Sequence, residues 1–349
     1  MLKRINWIVA VLLIGGGILL LNKDRFKYSA FRYYKSKLLC YNNIDNGLID
    51  EDSIIFCDFE LDHNLDRGGV YSGDRDVTHP SVAYTPHGFQ GYNLWFALTP
   101  YPQALPQHGE PYENACVFYG NYKGKNNSIN FKSIKRNPVI FRDGAKFNSD
   151  PDLFYDENDT LLYLVNRKRM LDGFASTIVL QHSSDGQYWS EPKVLFQTNR
   201  QTLCPCLIKV DTLYYIYAFN SETSGTMCND FEIWESRSLR EPIFKLKETC
   251  KWRNMDISIW HGDMLYYKDA YYITSCGFNE DYKNILGGKD KSLYLWFGKS
   301  KDGREWQFCS KPLLKANGCY RSTMFVDNSE NVVICKRPNL GSKISTSSV

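Results

Sequence analysis

Short apolar runs of strand length alternate with turn residues along the chain, and one arrangement recurs five times. A polar or small head leads into an apolar strand, a turn follows, and a second, aromatic-rich strand returns. The copies are THPSVAYTPHGFQGYNLWFALT from Thr78, SDPDLFYDENDTLLYLVNR from Ser149, LCPCLIKVDTLYYIYAFN from Leu203, WHGDMLYYKDAYYITSC from Trp260 and YRSTMFVDNSENVVICK from Tyr320. Two further hairpins, HSSDGQYWSEPKVLF from His182 and KSKDGREWQFCSKPLL from Lys299, share Ser-x-Asp-Gly-x-x-Trp. Asp-Gly is a strong tight-turn signal. Two hairpins make a four-stranded sheet, the unit of a propeller blade, so the pattern predicts an all-β, five-bladed β-propeller.

The fifth copy leaves room for only two strands before the chain ends. A ring must close, and the stretch DSIIFCDFELD, residues 52 to 62, is the expected donor of an outer strand. Closure by both chain ends would remove exposed sheet edges.

A different pattern opens the chain. MLKRINWIVAVLLIGGGILLLNKDRFK is apolar from Ile5 to Leu21, interrupted by Asn6 and three glycines. That is the short end of the ~17–25 residues that span a bilayer. No small-x-small cleavage site follows directly, so an uncleaved transmembrane helix is expected. The domain plan is an anchor over 1–22, a basic stem over 23–49, the propeller over 50–340 and a frayed tail over 341–349. The localisation is a single-pass membrane protein with its side left open. Lys23, Arg25, Lys27, Arg32, Lys35 and Lys37 after the span argue for a cytoplasmic propeller, whereas a signal-anchor argues the reverse.

Composition changes this picture little. Aromatics make up 15% of the 349 residues, which suits β structure, and a net charge of +3 gives no reason to expect nucleic acid. The 11 cysteines include no Cys-x-x-Cys pair, and the odd count favours reduced thiols. Cys204 and Cys206, flanking Pro205, read as small strand residues. Asn126-Asn127-Ser128 and Asn158-Asp159-Thr160 match the glycosylation pattern, as chance allows in a chain this long.

With the repeat and the head Ser149-Asp150-Pro151-Asp152, the chain resembles the five-bladed propeller glycosidases: the family 43 arabinanases and xylosidases and the related family 32 and 68 fructan enzymes. The resemblance spans roughly residues 50 to 340. It implies that inner-strand heads line a central pocket, and that the Asp of the second-blade Asp-Pro orients substrate or tunes the acid. It also implies a base or nucleophile Asp near the first head, where Asp76 and His79 both stand. Physical chemistry agrees in outline, because glycoside cleavage commonly uses two carboxyl groups across the scissile bond. A third nearby carboxylate raises the acid's pKa.

The catalytic candidates are therefore Asp150, Asp76, Glu113 and Asp263. The substrate-binding candidates are His79, Asp152, Trp260, His261 and Arg321. In a regular strand Asp152 would share a face with Asp150. His261 and Asp263 would pair in the same way, as a hydrogen-bonded acid/base unit or as a structural His with its partner. Trp260 suits stacking on a sugar. Arg321 would bind a carboxylate, orient hydroxyls, or pair with a pocket aspartate. No cofactor is expected, and a metal site lacks an evident third ligand. The third head, Gln201-Thr202-Leu203-Cys204-Pro205, departs from the family, which places its general-acid Glu there. The leading expectation is a membrane-anchored glycosidase acting on a saccharide. A glycan-binding propeller without catalysis and a protein-interaction scaffold are the alternatives. The Ser-x-Asp-Gly turns resemble the sialidase Asp-box, but the arginine cluster of those enzymes is not evident.

Overall fold

The computed structural model describes residues 54–59, 61, 65, 77–101, 112–124, 129–140, 145–170, 175–221, 228–252, 257–279, 294–309, 312–315 and 321–336. The expected anchor over 1–22, the stem over 23–49, the tail over 341–349 and the candidate Asp76 lie outside them. Among the described residues no helix is long and apolar enough to cross a membrane.

The described chain is all β. Strand β1 (Ile54–Asp58) precedes the first blade, which is β2 (Val77–Phe89), β3 (Tyr92–Pro100), β4 (Cys116–Gly120) and β5 (Lys132–Ser133). The second blade is β6 (Ala145–Asp156), β7 (Leu161–Met170), β8 (Ser176–Ser183) and β9 (Lys193–Thr198). The third is β10 (Gln201–Val210), β11 (Leu213–Ser221), β12 (Cys228–Ser236) and β13 (Lys245–Lys251). The fourth is β14 (Ile257–Tyr267), β15 (Ala270–Asn279) and β16 (Tyr294–Ser300), with β17 (Gln307–Phe308) and β18 (Leu314–Lys315) both paired to β16. The fifth is β19 (Thr323–Val326) and β20 (Val332–Lys336), completed by β1. The inner strands touch in a closed cycle, β2 to β6 to β10 to β14 to β19 and back to β2. The ring is therefore five-bladed, and the expected donor stretch closes it. It does so in parallel with β20, Ile54 opposite Val332 and Cys57 opposite Cys335.

Strand alternation explains how the blades adhere. On β3, Leu94, Phe96 and Leu98 face the core shared with blade 5, while Trp95 and Ala97 face the core shared with blade 2. On β20, Val333 and Cys335 face blade 1, and Val332 and Ile334 face blade 4. Both faces of middle strands such as β3 and β16 are buried, so these read as nearly continuous apolar runs, whereas the outer strands β9 and β13 are largely exposed.

The two Ser-x-Asp-Gly turns lock neighbouring blades. Ser183 Oγ accepts from Gly186 N at 2.8 Å, and Asp185 Oδ1 accepts from Gln187 N and Tyr188 N at 2.8 and 2.9 Å. Ser300 and Asp302 repeat the arrangement around Gly303. Gly186 has φ +71°, and a Cβ there would overlap the indole of Trp95 in the preceding blade. Gly91, at φ +81°, has nothing within 4 Å of such a Cβ. Both alanine variants meet the left-handed penalty of ~1–2 kcal/mol. Gly186→Ala alone adds overpacking of ~1–3 kcal/mol. Thermal unfolding should therefore show a Tm several degrees lower for Gly186→Ala than for Gly91→Ala; equal losses would mean that the contact with Trp95 does not constrain the turn.

Candidate functional site

The heads of the inner strands are not regular. In β2 the register skips between Thr78 and Ser81, in β6 between Ser149 and Asp152, in β10 between Leu203 and Cys206, and in β14 between Ile259 and His261. Each skip inserts one extra residue, a β-bulge, which re-aims a side chain. In the first three heads the bulged residue takes positive φ, 52° at His79, 52° at Asp150 and 46° at Cys204, and each is followed by proline. Proline has no N–H to give to a ladder and is tolerated at a bulge.

The bulges sort the heads into two layers at the ring axis. The upper layer holds His79, Asp150, Cys204, His261 and Arg321. The lower holds Ser81, Asp152, Cys206, Asp263 and Thr323. Asp150 and Asp152 thus do not share one face as a regular strand would have them.

Asp150 is the hub of the upper layer and is fully buried. Its Oδ1 lies 3.4 Å from His79 Nε2, 3.4 Å from His261 Nδ1 and 3.6 Å from an Arg321 terminal nitrogen. Its Oδ2 lies 3.0 Å from Arg167 Nε. Burial alone would raise the Asp150 pKa, but Arg167, His79 and His261 outweigh it and hold the carboxyl well below its ordinary value. Burial pushes His79 well below the usual imidazole value despite the pull of Asp150, and lowers His261 likewise. Both imidazoles are therefore neutral at pH 7 beside an ionised carboxylate. His79 Nδ1 contacts Thr99 Oγ1 at 3.1 Å, and Cys204 Sγ sits 2.9 Å from His261 Nδ1. Arg167 donates to Ser149 Oγ at 2.8 Å and to the Thr202 carbonyl at 2.9 Å, which fixes its fork. The Arg321 side chain is fully buried, and none of its nitrogens hydrogen-bonds to a described residue.

The lower layer joins blades. Asp152 accepts from Ser81 Oγ of blade 1 at 3.1 Å and from Leu207 N of blade 3 at 2.6 Å. Asp263 accepts from Thr323 Oγ1 and Met324 N of blade 5 at 2.8 and 2.9 Å. Asp263 thus turns to blade 5, while His261 turns to Cys204 and Asp150. Glu113 is buried just before β4, and its carbonyl accepts from Asn148 N at 2.8 Å, which pins this segment to the second head. Trp260 is half-buried, with its ring 6.0 Å from that of His261. Two axial residues are not among the site candidates of the sequence. Arg167 lies on a second strand with no motif around it. Cys204 was signalled by its place in the series His79-Pro80, Asp150-Pro151, Cys204-Pro205.

Among the described residues, two groups bring metal-ligating atoms within 4.8 Å of one another: His79, Asp150 and His261, and Asp152, Cys206 and Asp263. The sequence reading lacked a third ligand; the fold places Asp150 between the two histidines.

No family model and no curated protein sequence matches the chain. Among solved structures it is similar to an N-acetylgalactosamine deacetylase from F. plautii in complex with blood group B trisaccharide, at 19% identity and TM-score 0.59, covering 75% of this chain and 77% of that one. The catalytic domain of a Coprinopsis cinerea GH62 α-L-arabinofuranosidase matches at 11% identity and TM-score 0.49, covering 80% and 86%. The Bacillus subtilis arabinanase Arb43A matches at 15% and 0.40, covering 65% and 74%. The chain shares the fold of the deacetylase. The expectation of a five-bladed propeller is met at the level of the fold, by the closed ring itself and by the fold shared with the deacetylase.

Burial, with the neighbouring Asp263 charge, raises Asp152 to about 7. An unfolded Asp titrates near 3.9. Between about pH 4 and 7 the folded protein thus holds a proton at Asp152 that the unfolded chain has lost, and this contribution to stability declines as pH rises. His79 and His261, with lowered values, act in the opposite sense, because the unfolded chain binds their protons first. Asp152→Asn should therefore steepen the rise of stability with pH across that window, as read by denaturant midpoints. A slope equal to wild type would rule out a proton held at Asp152.

Proposed function

We propose that this chain is a membrane-anchored hydrolase acting on a saccharide at the His79–Asp150–His261 cluster, which holds a divalent cation. The observation that carries this reading is the convergence of two neutral imidazoles and one ionised carboxylate, each from a different blade, with donor atoms within 4.8 Å. The donor set fits. Neutral imidazole and carboxylate are common zinc ligands, and His with carboxylate also suits other transition metals. Arg167 lies on Oδ2 and leaves Oδ1 toward the histidines, the role of an outer partner that orients a ligand. A divalent cation there supplies Lewis-acid polarisation of the bond to be cleaved. The chain's own groups do the rest: Thr99 holds the His79 ring, and Arg321 has N–H donors that no described residue takes, open to a substrate oxygen.

The first substrate class is an N-acylated amino sugar, because the neighbour with the same fold is named as a deacetylase of N-acetylgalactosamine. Carboxylate acid/base cleavage of a glycosidic bond is the second reading, favoured by the burial of Glu113 beside the second head. A scaffold has no use for two imidazoles, a carboxylate and two guanidinium groups at a buried axis. The apolar segment over 1–22 is proposed to hold the propeller at a membrane-linked or surface glycan.

The test follows released acetate and released reducing sugar together over a panel of N-acetylated and plain glycosides. The full chain in detergent is assayed with chelator and with added divalent cation. Acetate release that chelation abolishes and a divalent cation restores is expected, with kcat reduced at least ~100-fold in Asp150→Asn and His79→Ala while the fold persists. Reducing-sugar release insensitive to chelator would transfer the site to the carboxylate mechanism. Glycan binding without release would leave a lectin.

A further inference from the structure

The ring is closed by one short ladder. Among the described residues strand β1 is the edge of a three-stranded sheet and pairs with β20 alone, over five residues and in parallel. Parallel pairing is slightly less stable per residue than antiparallel pairing. Within the other four blades, neighbouring inner strands are joined to their own returns by antiparallel hairpins close in sequence. The closing pair instead joins segments near opposite ends of the described chain, so its ordering carries the largest loop-closure entropy in the molecule.

At that ladder two thiols meet. Cys57 of β1 and Cys335 of β20 are direct register partners. Both are buried in the core between blades 5 and 1, among Phe59, Phe96 and Val333. The neighbouring Cys57 thiol, together with burial, pushes the Cys335 thiol well above its ordinary pKa. Neighbouring strands lie ~4.8 Å apart, inside the ~4.4–6.8 Å between Cα atoms that a disulfide accepts. Neither takes part in a disulfide in this structure. The seven other described cysteines are also outside any disulfide, but they lie on β4, β10, β12, β13 and β15 or, for Cys309, just after β17, away from the closing ladder.

We propose that Cys57 and Cys335 form a ring-closing disulfide when the protein meets a disulfide donor, which makes the last ladder covalent. The chemistry is thiol–disulfide exchange. With β1 unpaired, the Cys57 thiolate attacks the donor's S–S bond, forms a mixed disulfide and releases one donor thiol. As β1 docks, the Cys335 thiolate attacks the Cys57 sulfur of that mixed disulfide and releases the second donor thiol. Two protons leave the cysteines and the donor's S–S bond is reduced to two thiols, so atoms and electrons balance. Once closed, the bond is buried and shielded from reductant.

A disulfide stabilises chiefly by constraining the unfolded chain, and more for longer loops. Here it also blocks the peeling of an edge strand, a local opening of low free energy. The test equilibrates the purified full chain with glutathione disulfide at a denaturant concentration that frays it, then removes the denaturant and maps cross-linked peptides by mass spectrometry. One dominant pair, Cys57 with Cys335, is expected. The oxidised protein should unfold about tenfold more slowly than the same protein after reduction. That comparison uses wild type alone, so it stands even if Cys57→Ala or Cys335→Ala fails to fold; where they fold, the oxidised and reduced rates should coincide. Full alkylation of both thiols after oxidation, a dominant cross-link elsewhere, or equal unfolding rates with the Cys57–Cys335 bond present would each overturn the proposal.

Discussion

At the heads of β2, β6 and β10 one residue turns left-handed and a proline follows. That step decides what each head can do. Without it, the side chains before and after the proline would point the same way along a regular strand. With it, the first enters the upper layer around Asp150 and the second drops into the bonds between blades. A left-handed non-glycine residue stores ~1–2 kcal/mol of strain, tolerated most readily by Asn, Asp and His. Two of the three residues here are His79 and Asp150. The cores between neighbouring blades supply the rigidity that holds the heads in this state, and strained backbone over-determined by its surroundings is typical of functional sites.

The two layers divide the work between chemistry and assembly. Asp152 and Asp263 each bind a backbone N–H of the next blade, so they act where an adhesive between sheets is needed. Asp150 binds side chains: two imidazoles, two guanidinium groups and a serine. A carboxylate that accepts backbone amides is committed to one geometry. One surrounded by ionisable side chains can exchange a partner for a ligand. This difference, rather than the mere count of acidic heads, singles out Asp150.

Much of this was legible in the sequence. The five copies, the Asp-Gly turns and the donor of the closing strand all followed from local pattern, because strands and tight turns are written in contiguous residues. The heads His79, Asp150, His261 and Arg321 were named because they open the copies. What was not legible depends on register. The bulge moves Asp152 away from Asp150, and no period-two rule contains it. Arg167 reaches the axis from β7 by standing opposite Ser149, a pairing known only once the hairpin register is fixed. Cys204 reads as a small strand residue because its own neighbours are apolar, and its place in the series His79-Pro80, Asp150-Pro151, Cys204-Pro205 is a relation between blades rather than a local pattern.

The electrostatics of the axis argue for a site that binds something. Arg167 satisfies its fork on Ser149, the Thr202 carbonyl and Asp150, as a structural arginine does. Arg321 stands on the same axis with comparable burial and, among the described residues, only an ion pair at 3.6 Å. A buried guanidinium without hydrogen bonds is unfavourable by more than a neutral group in the same position would be. A purely structural axis would favour replacing it with an apolar side chain. Its presence beside two neutral imidazoles makes sense where oxygen atoms of a ligand complete its fork. The same asymmetry weighs against a silent scaffold: adhesion between blades is already provided by the lower layer and the cores, and needs none of the upper-layer charges.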